Sequence, residues 1–148
     1  MSKSEGFSLI ELLIVVAVIG IIAALAVPNL VQSRKAANEA SAIASVRNLV
    51  TAQITYASTL GGGNFGSLAE LSAENFTDEV LGSGQKDGYD VSVAANGSIG
   101  FSVLASPTVP GTTGERGFYG DETGVIRYTV DGTVPDSTSR PLGGGNSP

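Results

Sequence analysis

The run from Phe7 to Val27, FSLIELLIVVAVIGIIAALAV, constrains this chain more than any other feature. It is apolar on every side and holds a single charge, Glu11. At about 21 residues it meets the ~20 that a helix needs to cross a hydrocarbon core of ~30 Å. An amphipathic helix on a soluble domain would show a polar face, and this stretch has none. It is therefore a membrane segment, a signal peptide, or a helix buried among copies of itself. Glu11 discriminates among the three. An ionised carboxylate at the centre of a membrane helix costs on the order of 2.5–3.5 kcal/mol, and less towards an end. It needs a partner or a purpose.

As a signal peptide, the segment would use Lys3 as its basic region and Ala24-Leu25-Ala26 as a small-x-small cleavage site. Glu11 then falls inside what should be the apolar core of the signal, and that core is long. As a bare anchor, the run has poor flanks. Glu5 offsets Lys3, while Arg34 and Lys35 follow the run, so the positive-inside rule favours keeping the C-terminal side inside. A bare anchor also gives Glu11 nothing to do. The third reading does. Cleavage between Gly6 and Phe7 would create an α-amino group at i with Glu11 at i+4. The two charges can neutralise each other within one chain or between adjacent chains. In a low-dielectric bundle that attraction is strong and acts only at one stagger, so it sets register.

A short leader ending in Gly6, then Phe7-Ser8-Leu9-Ile10-Glu11 and the apolar run, resembles the class III signal of type IV pilins and pseudopilins. Gly20 and Pro28 stand where that family carries helix-weakening residues. The resemblance implies cleavage after Gly6 by a membrane prepilin peptidase and N-methylation of Phe7. It also implies extraction of the subunit from the membrane into a homo-oligomeric helical filament by inner-membrane assembly machinery. The implied locations are the bacterial inner membrane for the precursor and an extracellular pilus for the product. A pilus subunit is the favoured reading. A type II secretion pseudopilin is the alternative, followed by a membrane-anchored or Sec-secreted binding domain.

Beyond the run, Pro28 is expected to bend or interrupt the helix, because it removes one backbone bond and crowds the preceding turn. Gly20 lowers helix stability upstream of it. Ile43, Val46, Val50, Ile54 and Ala57 then recur at three- and four-residue steps, with Arg34, Lys35, Glu39, Arg47 and Asn48 largely elsewhere. That pattern predicts an amphipathic helix lying on a domain, the two halves forming a rod of roughly 50 residues, about 75–80 Å long. Gly61-Gly62-Gly63-Asn64 ends it. Ser67-Leu68-Ala69-Glu70 has the form of a capping box, and a weaker helical turn is expected around Asp78 to Leu81.

The period then changes to two. Tyr89, Val91 and Val93 precede Asn96-Gly97, and Phe101 and Val103 follow, which is a hairpin signal. A second hairpin is expected from Phe118-Tyr119 to Val125–Val130, turning through Asp121-Glu122-Thr123-Gly124. The predicted class is α+β, with a long N-terminal helix packed on a small antiparallel sheet. The expected divisions are a leader at 1–6, a membrane and assembly helix at 7–28 and an amphipathic helix at 29–60. A head at 61–134 and a loose, Ser/Pro/Gly-rich tail at 135–148 complete them.

Composition narrows the chemistry. The chain has no cysteine and no histidine, which removes disulfides, the commonest general base and the commonest transition-metal ligand. A net charge of −6 argues against a nucleic-acid partner held by a basic face. Gly61–Gly63 lacks the Gly-Lys-Ser/Thr of a phosphate loop, and Gly82-Ser83-Gly84 has Gly88 one residue late for a dinucleotide fingerprint. Asp87, Asp90, Asp121 and Glu122 are the oxygen ligands on offer to Ca²⁺, yet turns and surface account for each. Asn75-Phe76-Thr77 and Asn96-Gly97-Ser98 match glycosylation acceptors. No nucleophile–base pair is recognisable. A non-enzymatic protein with no cofactor and no metal is expected.

Overall fold

The computed structural model describes residues 6–130 and 133–144. These form three helices and six strands. Helix α1 spans Leu9–Thr59, α2 Leu68–Ala73 and α3 Glu79–Gly82. The strands are β1 Gln85–Lys86, β2 Tyr89–Asn96, β3 Gly100–Pro107, β4 Gly117–Asp121, β5 Arg127–Thr129 and β6 Arg140–Pro141. The chain divides into two compact units, the first ending at Arg34 and the second starting at Lys35.

In the first unit, α1 runs through Pro28 without a break. Pro28 has no N–H to give the carbonyl of Ala24. The next turn is reinforced by side chains: Asn29 Nδ2 donates to the Leu25 carbonyl at 3.0 Å, and Ser33 Oγ to the Asn29 carbonyl at 2.9 Å. Proline therefore weakens this helix locally but does not interrupt it.

In the second unit, α1 buries Ala42, Ser45, Val46, Leu49, Val50, Ala52 and Gln53. The face is rotated from the one expected. Ile54 is 51% exposed, while Gln53 is wholly buried. Hydrophobicity alone misplaces the stripe because polar residues belong to it. Gln53 Nε2 donates to the Gly66 carbonyl at 2.5 Å, and its Oε1 accepts from the Gly66 N–H at 2.9 Å. One side-chain amide thus satisfies both backbone groups of a buried loop residue.

Lys35 and Glu39, expected on the solvent face, also face the head. Lys35 Nζ lies 2.9 Å from Glu115 Oε1. Glu39 accepts from the N–H groups of Glu115 and Arg116 at 3.0 and 3.2 Å and pairs with the Arg116 guanidinium at 2.7 Å. Asn38 Nδ2 donates to the Thr113 carbonyl at 2.8 Å, completing a polar latch on residues 113–116. Burial works against ionisation of Glu39, but the two backbone N–H donors and Arg116 outweigh it and hold its carboxyl below the usual range.

The loop after α1 closes as expected. Leu60 and Gly61 donate to the Tyr56 carbonyl and Gly63 to that of Ala57, with Gly62 and Gly63 at φ +57° and +91°. Helix α2 carries the full Ser67/Glu70 capping box, and Asp78 caps α3 through the Leu81 N–H at 2.7 Å.

The sheet is an antiparallel meander in the order β1-β2-β3-β4-β5-β6. Tyr89 and Val91 of β2 point inwards with Phe101, Val103 and Ala105 of β3. Phe118 of β4 and Ile126 close the core with Val46, Leu49 and Val50 of α1. At Gly120 the helix lies tight against the sheet: a Cβ there would sit 2.8 Å from Val46 Cγ1 and 3.0 Å from Val50 Cγ2.

Both expected hairpins form, the first pairing Asn96 with Gly100 and the second turning at Gly124 with φ +73°. A third hairpin precedes them. Asp87-Gly88 joins β1 to β2 with φ +48° and +73°, the signature of a two-residue primed turn. The tail differs from expectation. Its described part is tied to the sheet through β6: Tyr128 pairs with Arg140, Leu142 N donates to the Ile126 carbonyl at 2.6 Å, and Pro135 is buried. Ser/Pro/Gly content misleads here because Asp136 organises a turn by accepting from Thr138 and Ser139. Residues 145–148 lie outside the described part.

Candidate functional site

Start from the exposed surface of the first unit. Phe7 is 79% and Leu9 78% exposed, and Leu12, Leu13, Val16, Ile19 and Ile22 each leave more than half of their surface bare. The helix is long and apolar enough to cross a membrane, and its most apolar stretch is not buried by the rest of the chain. Burying one such side chain is worth roughly 1.5–3 kcal/mol, so a surface of this extent is built to be covered.

Gly6, Phe7 and Ser8 precede the first helical residue and are exposed. The Gly6–Phe7 bond thus lies outside the helix and is exposed. Glu11 sits in the first turn, and its Oε2 accepts from the Ser8 N–H at 3.0 Å. Ser8-Leu9-Ile10-Glu11 repeats the spacing of Ser67-Leu68-Ala69-Glu70, and one arm of the capping box is formed here too. Ser8 is the residue that reading the sequence missed, although the Ser-x-x-Glu signal was available. Glu11 is thus held by the Ser8 amide, one peptide bond beyond Gly6–Phe7. A carboxylate in the first turn also complements the helix dipole.

Gly20 and Pro28 are further along α1 and take no part in this arrangement. Space around Gly20 is open, with nothing within 4 Å of a Cβ placed there. The leader residues 1–5, including Lys3 and Glu5, lie outside the described part.

The four carboxylates weighed for Ca²⁺ are used separately. Asp87 accepts from Ser41 at 2.5 Å and Asp90 from Gln85 at 2.7 Å. Asp121 accepts from the Thr123 hydroxyl and N–H, and Glu122 from the Phe101 N–H at 3.4 Å. Among the described residues no group of three or more carboxylates gathers to hold a metal.

Residues 1–27 match the prokaryotic N-terminal methylation motif. The chain is 46% identical over 56 residues to the type IV wide pilus major component PilA4 of Thermus thermophilus, covering 38% of this chain and 43% of that protein. It is 43% identical over 54 residues to the type IV major pilin protein PilA of Myxococcus xanthus, covering 36% and 24% respectively. Through this N-terminal segment the chain is similar to type IV pilins. The match spans less than half the length of each of these two relatives. A long N-terminal helix whose later part packs on an antiparallel sheet is consistent with a pilin fold.

Proposed function

We propose that this chain is the structural subunit of a type IV pilus. It is cleaved after Gly6 by prepilin peptidase, methylated on the new amine of Phe7, and polymerised through α1. The observation that carries the reading is the bare apolar surface of Phe7–Val27 joined to the methylation motif matched over residues 1–27. Held in the inner membrane before assembly, that surface is covered by lipid; in a helical filament it is covered by the same surface of neighbouring copies. The inner-membrane machinery moves the subunit from one environment to the other, and the filament is extracellular.

Glu11 has a different partner at each stage. Before cleavage its carboxylate rests on the Ser8 amide. After cleavage the Phe7 ammonium is the nearest cation the chain can offer, and pairing with it neutralises both charges inside the apolar bundle. Gly20 and Pro28 act as weak points in α1, where the helix yields during extraction. The division of labour places membrane and filament contacts on 7–28 and leaves the head as the outward face.

The test is direct. Surface filaments are sheared from the native cells and their subunit is measured by intact mass. The expected species starts at methylated Phe7. A subunit starting at Val27 would replace this reading with a secreted domain.

A further inference from the structure

We infer that Asn96 is a spontaneous deamidation site, converting the β2–β3 turn from an amide to a carboxylate as the protein ages. Asn96 is exposed at the end of β2, and its side-chain amide makes no hydrogen bond among the described residues. Gly97 follows it, so no side chain shields the backbone nitrogen between them. That nitrogen donates to nothing in the turn: the local bonds are Ile99 N–H to the Asn96 carbonyl at 3.0 Å and Phe65 N–H to the Gly97 carbonyl at 2.9 Å. Nucleophile and electrophile are therefore adjacent, solvated and unengaged.

The chemistry balances with water alone. The Gly97 nitrogen loses its proton and attacks Asn96 Cγ. A C–N bond forms, the Cγ–Nδ2 bond breaks, and ammonia leaves with the proton. Water then opens the five-membered imide at either carbonyl, giving aspartate or isoaspartate. No oxidant, metal or enzyme enters.

The consequence follows from what surrounds the turn. Asn96 shares a groove of about 420 Å³ with Asp121 and Glu122. Glu122 lies against Gly100, the register partner of Asn96, with Oε2 3.1 Å from where a Gly100 Cβ would be. A new carboxylate at 96 adds a third negative charge to that groove. The isoaspartate form also adds a methylene to the backbone next to the Asn96–Gly100 pair, which loosens the turn end of the hairpin.

Tryptic cleavage after Lys86 and Arg116 releases residues 87–116, in which Asn96 is the only side-chain amide. A mass gain in that peptide reports on Asn96 alone; isomerisation at Asp87-Gly88 would leave the mass unchanged. The full chain in detergent is aged at neutral and mildly alkaline pH and sampled by mass spectrometry, with the isolated peptide aged in parallel. The expected result is a converted fraction that grows with time and with pH, splits into two products of equal mass, and is lost in Asn96→Gln. Conversion of the free peptide with none in the folded chain would overturn the proposal, since the hairpin would then protect the bond. A mass gain that persists in Asn96→Gln would overturn it as well.

Discussion

At the scale of single residues, the side chains that matter most answer to two different environments. Glu11 is not among the residues of the head core, which runs from Ala42 onward. Glu11→Ala should insert into a membrane at least as well as the parent, because the cost of an ionised carboxylate disappears. In a filament it leaves the Phe7 amine unpaired, and breaking one side of a buried pair costs ~3–5 kcal/mol at every subunit. The expected outcome is a cleaved membrane pool with few filaments, read by comparing membranes with sheared surface material; a normal filament yield would sink the pairing account. Gly120 and Glu39 act in the other environment. Gly120→Ala should destabilise the head by about 1–3 kcal/mol, because Val46 and Val50 cannot both retreat from a new methyl; the midpoint in urea measures it. The depressed carboxyl of Glu39 sets a sign on acid stability. Its contribution is present above the ordinary glutamate range and is lost as pH falls through its lower folded value. Glu39→Gln should flatten that acid limb of the stability curve while lowering the plateau, and an unchanged limb would remove Glu39 from the account.

At the scale of elements, α1 is one helix with two chemistries, and Gly20 and Pro28 lie within it. Gly20→Ala and Pro28→Ala should stiffen it, by about 1 kcal/mol for the glycine and about 3 for the proline. Slower amide exchange across residues 16–32 in detergent would show this, and unchanged exchange would mean that Pro28 is already compensated by Asn29 and Ser33. The elements also show what sequence periodicity can and cannot convey. The apolar run, the α2 capping box and the Asn96-Gly97 and Asp121–Gly124 turns were legible because each depends on neighbours in sequence. The buried face of α1 was not. Its register depends on Gln53 meeting Gly66 and on Glu39 meeting Arg116, partners that only the folded sheet brings close. The pairing of β6 was not legible for the same reason: it depends on Ile126 and Tyr128, not on local composition. Around the candidate site, Gly6, Phe7 and Glu11 were visible as a motif, while the bond from the Ser8 amide needed the helix start to be placed first.

At the scale of the whole molecule, the second unit contains its own core, and its part of α1 starts at Lys35. A chain beginning at Asn29 should therefore be soluble and monomeric with mixed helix and sheet content. Light scattering and circular dichroism decide the point, and persistent polymers would move the filament contacts from α1 to the head. Removing residues 140–148 should cost this unit stability, since it deletes the Arg140 and Leu142 backbone bonds to the sheet. The meander has one more consequence, which concerns time. Every strand pairs with the strand made just before it, so no strand waits for a distant partner. The helical face carrying Val46 and Leu49 is made first of all, and each later hairpin finds a finished surface to land on. A head delivered across a membrane behind its helical end can thus zip shut in the order in which it emerges. The last stitch, β6 against β5, is placed only when the C-terminus arrives.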